Sequence, residues 1–249
     1  MSETIDHDLE LLQALGILSQ DEGLDAFPAR LATLIAAHRD REMGAWDHRG
    51  MSEAIQKTDY SKDPRRQVGA YIAGARNKPI AWGYNGFPRG IADTAERLTC
   101  RSAKLKLMAH AERNALDNAE TPVVGATLYC TQIPCSECAK SIVQRGIARV
   151  VCPEPSDQIS DYWLQDAAIS MVQFREAGIQ LDWYDGPALN LFHLRRRLHE
   201  MGPDAPALQA IAAQLVALDD ENLRIVLHDL AQRAAGNSTR PCCDDPASS

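Results

Sequence analysis

Apolar positions recur at helical spacing over residues 8–18 and 29–38, and again over 51–58, which predicts three short amphipathic helices at the start of the chain. After Ser61-Lys62-Asp63-Pro64-Arg65-Arg66 the period changes. Residues 68–73 and 80–84 read as strands, and Arg76-Asn77-Lys78-Pro79 between them reads as a hairpin turn. Asn85-Gly86 ends the second strand with a turn signal. Elements then alternate: helix 99–118, interrupted at its centre by functional-looking residues, strand 126–130, helix 136–145, strand 149–152, helix 162–177 and strand 179–183. The order ββαβαβαβ predicts an α/β fold with a mostly parallel five-stranded sheet, covered by helices on both faces.

Beyond Pro187 the pattern is helical again, over 189–201, 207–218 and 221–235, with Pro203 and Pro206 separating the first two segments. The chain therefore divides into a helical N-terminal extension (1–54), a central α/β domain (55–186), a helical C-terminal extension (187–236) and a loose tail (237–249) that carries Cys242 and Cys243. Amphipathic extensions need an apolar surface, so they are expected to pack on the core or to form an oligomer interface.

With 45% hydrophobic and 24% charged residues, the chain has the composition of a folded globular protein. The net charge of −8 argues against general binding to duplex nucleic acid, which needs a basic surface to displace counterions. That charge is uneven. Residues 1–60 carry 12 acids against 5 bases, whereas residues 61–186 carry 14 against 15. Within the near-neutral centre, Arg97, Arg101, Lys104 and Lys106 form a local basic group, readable as a solvated helix face or as an anion contact. No apolar run approaches the roughly 18 residues of a membrane span. The acidic start MSETIDHDLE has no features of a secretion signal, so a cytoplasmic location without membrane association is expected.

Three segments carry candidate chemistry: Gly83-Tyr84-Asn85-Gly86, His110-Ala111-Glu112 and Pro134-Cys135-Ser136-Glu137-Cys138. Two cysteines three residues apart in a first helical turn face the same way, and the free amides there favour thiolate. Pro134 suits a segment entering a helix, because its missing amide costs little there. His110, the only histidine in the centre, sits at the start of its helical stretch as the cysteines do in theirs. Two thiolates and a neutral imidazole offset the charge of zinc, so His110, Cys135 and Cys138 are read as zinc ligands. Glu112 is two positions from His110, a spacing that suits one ligand and one carboxylate reaching over an open metal position. There it can accept and return protons. A closed structural site would instead need a fourth ligand, Cys130 or Cys100, and would make the chain an interaction module without catalysis.

The HAE and PCSEC motifs resemble those of the zinc-dependent cytidine/deoxycytidylate deaminase superfamily. Ser61-Lys62-Asp63-Pro64, Gln67-Val68-Gly69-Ala70, GYNGFPRG (83–90) and HAERNA (110–115) resemble its deoxycytidylate (dCMP) branch. The resemblance spans about residues 55–185 and implies a cytidine deaminase-like three-layer α/β/α fold. It implies catalytic zinc on His110, Cys135 and Cys138, and Glu112 as the proton shuttle. Activated water would attack C4 of the cytosine ring, converting dCMP to dUMP and ammonia. Asn85 would contact the nucleoside sugar, and the carbonyl of Thr131 or Ile133 would orient the exocyclic amine. Tyr84, Phe87, Tyr129 and Trp163 are candidates for the wall against the base. A free pyrimidine nucleotide substrate, a homo-oligomer (dimer or hexamer) and a nucleotide effector are further expectations of the resemblance.

Two departures bear on the substrate. Lys104-Leu105-Lys106-Leu107-Met108-Ala109 stands where the branch usually carries an aromatic segment, and Pro153-Glu154-Pro155-Ser156-Asp157-Gln158 replaces a tyrosine-containing signature. Another free cytidine nucleotide, or a modified dCMP, is therefore the alternative substrate.

Overall fold

A computed structural model describes residues 2–38, 42–155 and 160–186. Residues 187–249, and with them the expected helices over 189–235 and the Cys242-Cys243 pair, lie outside the described residues.

The chain opens with α1 (Ser2–Ala14), α2 (Phe27–Ala36) and α3 (Ala45–Lys57), followed by the hairpin of β1 (Gly69–Ala73) and β2 (Pro79–Tyr84). Arg76 and Asn77 turn that hairpin with φ of 59° and 57°, a left-handed pair that Asn tolerates better than most residues. Two short helices follow, α4 (Ala95–Thr99) and α5 (Arg101–Leu107). Then come α6 (Ala111–Asp117), β3 (Thr127–Cys130), α7 (Ser136–Gln144), β4 (Arg149–Cys152), α8 (Asp161–Glu176) and β5 (Gln180–Trp183).

The five strands lie in the order β2-β1-β3-β4-β5. The sheet is mixed, which corrects the expectation of a mostly parallel one. β1 pairs antiparallel with both β2 and β3, and only β3–β4 and β4–β5 are parallel. The hairpin sets β2 on the outside, and the chain then crosses through α6 to the far side of β1. β2 and β3 therefore run the same way with β1 reversed between them.

Side-chain alternation divides the core between the two faces. Ala70, Ile72, Leu128, Cys130, Val150 and Leu181 belong to one cluster with residues of α6, α7 and α8. Leu12, Phe27, Leu31 and Ile35 join that cluster, so α1 and α2 share its core. The indole of Trp183 also donates to the Ile35 carbonyl at 2.8 Å. Helix α3, which runs across residue 54, lies on the opposite face: Gly50 abuts the Tyr129 ring and Gly69 abuts the Ala54 carbonyl. There Arg149 reaches Asp47 at 2.6 Å and Asp182 at 2.5 Å, while the Tyr129 hydroxyl donates to Asp47 at 3.1 Å. Burial alone would raise the Asp47 carboxyl, but the bonds from Arg149, Gly44 and Tyr129 hold it below its usual value.

The interrupted helix expected over 99–118 falls into the separate helices α5 and α6. Cys100 is extended between α4 and α5, and Met108 and His110 are extended before α6. The cause is a long-range pairing. Ala109 exchanges both backbone hydrogen bonds with Gly86, at 2.9 and 3.1 Å, which overrides the local helical pattern. No helix among the described residues is long and apolar enough to cross a membrane.

Candidate active site

The Gly86–Ala109 bridge returns the chain to the end of β2, where His110 becomes the N-cap residue of α6. β3 runs the same way as β2, so its end delivers the start of α7 to the same edge of the sheet, with Cys135 as N-cap. Helix α6 sits tightly on β2, because Gly83 lets the backbone of Ala111 and Ala115 approach. Asn114 and Asn118 also donate to the β2 carbonyls of Tyr84 and Trp82 at 2.7 and 3.1 Å.

Among the described residues, His110, Cys135 and Cys138 form the one group whose ligand atoms could share a metal, all within 4.8 Å of one another. His110 Nδ1 lies 3.3 Å from Cys135 Sγ and 3.4 Å from Cys138 Sγ. Around tetrahedral zinc, with bonds of about 2.3 Å to sulfur and about 2.0 Å to nitrogen, the two donors stand about 3.5 Å apart, so the group fits that ion. Neither candidate fourth ligand joins it. Cys130 is fully buried at the end of β3, and Cys100 is exposed beside Ser102.

The electrostatics of the cluster are strongly coupled. The hydrogen bond between Cys135 and Cys138 lowers the Cys135 thiol below its ordinary range and raises Cys138 above it. The Cys135 thiolate lifts His110 to about 9. Glu112, only 4% exposed, is pushed up to about 7 by burial. A buried carboxyl that titrates near neutrality suits proton transfer in both directions. Cys130 beside it is raised well above the ordinary thiol range, first by burial and then by the charge of Glu112.

His110, Glu112 and Cys135 line a cavity of about 370 Å³, within the range of small-molecule sites. Ile133, Pro134 and Trp163 contribute to its wall, and Ser160, Asp166 and Ala167 bring α8 to it. Of the four aromatic candidates, Trp163 lines this cavity. Tyr84 instead stacks on Tyr60 at 5.7 Å, and with Phe87 it lines a smaller cavity, while Tyr129 is on the α3 face. Of the two candidate carbonyl residues, Ile133 is on the wall and Thr131 is buried off it, its N–H donating to the Gly69 carbonyl at 3.0 Å.

Asn85 also lines the cavity, but its amide serves the backbone as well. Oδ1 accepts from Val68 N at 2.7 Å, and Nδ2 donates to Arg66 O at 2.8 Å. Those bonds hold the segment that brings Arg65 and Arg66 to the cavity, where Arg101 and Lys104 of α5 join them. Asp63 organises this group. Its Oδ1 accepts from Arg65 N, from Arg66 N and from Lys104 Nζ, the last at 2.9 Å with both side chains nearly buried. The basic group read from the sequence is thus divided, with two of its members on the cavity. The contributions of Asp63, Arg65, Arg66 and Asp166 were missed, the first three because charge beside a turn proline looks like solvated loop.

Residues 44–154 match the family model for the cytidine and deoxycytidylate deaminase zinc-binding region. An uncharacterised deaminase of Aliivibrio fischeri is 35% identical over 138 residues, which cover 55% of this chain and 92% of that protein. The chain belongs to the cytidine and deoxycytidylate deaminase family. As a member of this family it is an enzyme, a hydrolase of nucleotide metabolism whose family domain binds zinc. Human deoxycytidylate deaminase is 37% identical over 142 residues, covering 54% of this chain and 76% of the human protein. Among solved structures, the dCMP deaminase of cyanophage S-TIM5 overlaps with a TM-score of 0.45 at 23% identity, over 57% of this chain and 100% of that one.

Proposed function

We propose that this deaminase hydrolyses dCMP to dUMP and ammonia, with zinc held by His110, Cys135 and Cys138. The observation that carries the reading is one cavity in which the ligand cluster, a buried carboxyl and a group of cations meet. Zinc bound there supplies Lewis acidity, which lets water act as a nucleophile near neutral pH.

Glu112 takes one proton from the attacking water and delivers it to N3 of the ring, then takes the second from the new C4 hydroxyl and passes it to the departing amine. The C4–O bond forms, the C4–N bond breaks, and nitrogen leaves as ammonia. The burial of Glu112 keeps competing water from its carboxyl, and Trp163 supplies an apolar wall for the base. Arg65, Arg101 and Lys104 hold the phosphate dianion through charge-assisted hydrogen bonds. Asn85 has one amide hydrogen beyond those bound to the backbone, and it meets the sugar hydroxyl with it. The human relative named deoxycytidylate deaminase supports the same substrate. Self-association and response to a nucleotide effector are further parts of the proposal: light scattering tests the first, and dCMP kinetics with and without dCTP or dTTP test the second.

The test is a deamination panel of dCMP, CMP, deoxycytidine, cytidine, dCTP and 5-substituted dCMPs, with ammonia and product mass recorded. The reading predicts dCMP well ahead of deoxycytidine, because the nucleoside brings no phosphate charge to Arg65, Arg101 and Lys104. Preference for a 5-substituted dCMP would transfer the assignment to a modified nucleotide. Equal use of nucleoside and nucleotide would remove the phosphate role.

A further inference from the structure

Helix α7 has an unusual problem at its start. The N-cap side chain ordinarily satisfies the free amides of the first turn, but here that side chain is Cys135, a member of the ligand cluster. Its sulfur accepts from Cys138 N at 3.4 Å, which serves only one amide. The next residue, Ser136, is held from another element. Its backbone N donates to Asp166 Oδ2 at 2.9 Å, and its hydroxyl donates to Asp166 Oδ1 at 2.6 Å.

Two bonds to one residue, one from backbone and one from side chain, fix both the entry angle of α7 and the Ser136 rotamer. Asp166 stands on α8 one turn beyond Trp163, on the same cavity wall. A carboxylate at a helix start is favourable with the helix dipole, while its charge opposes the nearby thiolates. Geometry and charge thus pull in different directions and are separable by experiment.

We propose that Asp166 is a positioning residue for the metal centre: it tethers α7 through Ser136 and so holds Cys135 and Cys138 at ligating distance. This inference rests on the zinc reading above. Partners that orient metal ligands typically contribute ~10–100-fold in metal affinity.

The test measures zinc transfer from the full-length zinc-loaded protein to a colorimetric chelator, alongside thermal unfolding. D166A is expected to weaken zinc retention ~10–100-fold. D166N is expected to restore it to near the wild-type level, because its carbonyl still accepts from Ser136 N and its amide donates to the Ser136 hydroxyl. A helix cap with no bearing on the metal would lower the melting temperature of D166A and leave zinc transfer from the folded protein unchanged, which overturns the proposal. D166N releasing zinc as fast as D166A would also overturn it, by assigning the effect to charge. If D166A does not fold, S136A carries the test: it removes the 2.6 Å bond alone and should speed zinc transfer several-fold, and an unchanged rate refutes the tether. E22Q, which disturbs the Ser19–Glu22–Arg30 network, is the control expected to change stability without changing zinc transfer. Wild-type protein that binds no zinc would instead overturn the ligand assignment itself.

Discussion

Gly83 is where the active-site helix touches the sheet, and G83A tests how closely the two must fit. A Cβ at this position would lie 2.4 Å from the Ala111 carbonyl oxygen and 2.4 Å from Ala115 N, where ordinary contact begins near 3.4 Å. Both atoms are backbone, so no rotamer change relieves the clash. Helix α6 must move by about 1 Å, and its first turn carries Glu112 next to the His110 cap. Overpacking of this kind costs about 1–3 kcal/mol of stability. A 1 Å misplacement of a reacting group costs on the order of 100-fold in rate, or about 2.7 kcal/mol of barrier. Urea unfolding and dCMP turnover at saturating substrate, normalised to bound zinc, measure the two effects. G50A is the matched control, because its Cβ would meet the Tyr129 ring at 2.5 Å on the opposite face of the sheet. It should cost similar stability and leave kcat of the folded enzyme intact. A G83A enzyme with wild-type kcat, or a G50A enzyme equally impaired, would refute the argument.

R101A should raise KM for dCMP about 10-fold, the value of a hydrogen bond to a charged group, while turnover of deoxycytidine stays unchanged; steady-state kinetics on both substrates checks this. D47N breaks the partly buried contact with Arg149 and should destabilise the fold by about 3 kcal/mol. Because the fold holds the Asp47 carboxyl below its ordinary value, its stabilisation is present above that value and is lost as pH falls through the lower folded one. Urea midpoints taken from neutral to acid pH should therefore fall less steeply for D47N than for wild type.

Local pattern carried much of the fold and the centre of the site. The strands, the hairpin and α7 follow from alternation and turn residues, and the spacing within Pro134–Cys138 matches an N-cap and first turn. What the sequence did not disclose depends on contacts distant along the chain. The pairing of Ala109 with Gly86 breaks a stretch whose own periodicity is helical, and it puts His110 at a cap where a regular helix would have turned it elsewhere. The reversed β1 follows from where β3 returns, which strand patterns do not encode. Asp63 and Asp166 reach the cavity from elements on either side of the ligand motifs, and each looks like ordinary surface charge until its partners Lys104 and Ser136 are brought to it.

Glu112 is proposed to move protons beside a metal it does not bind. E112Q keeps the shape of the side chain and removes its proton-accepting capacity, so zinc content by mass spectrometry and dCMP turnover on the same sample separate the two roles. One zinc per chain is expected, with turnover reduced ~100- to 10,000-fold. Turnover at the wild-type rate, or loss of zinc together with activity, would rule the proton-transfer role out.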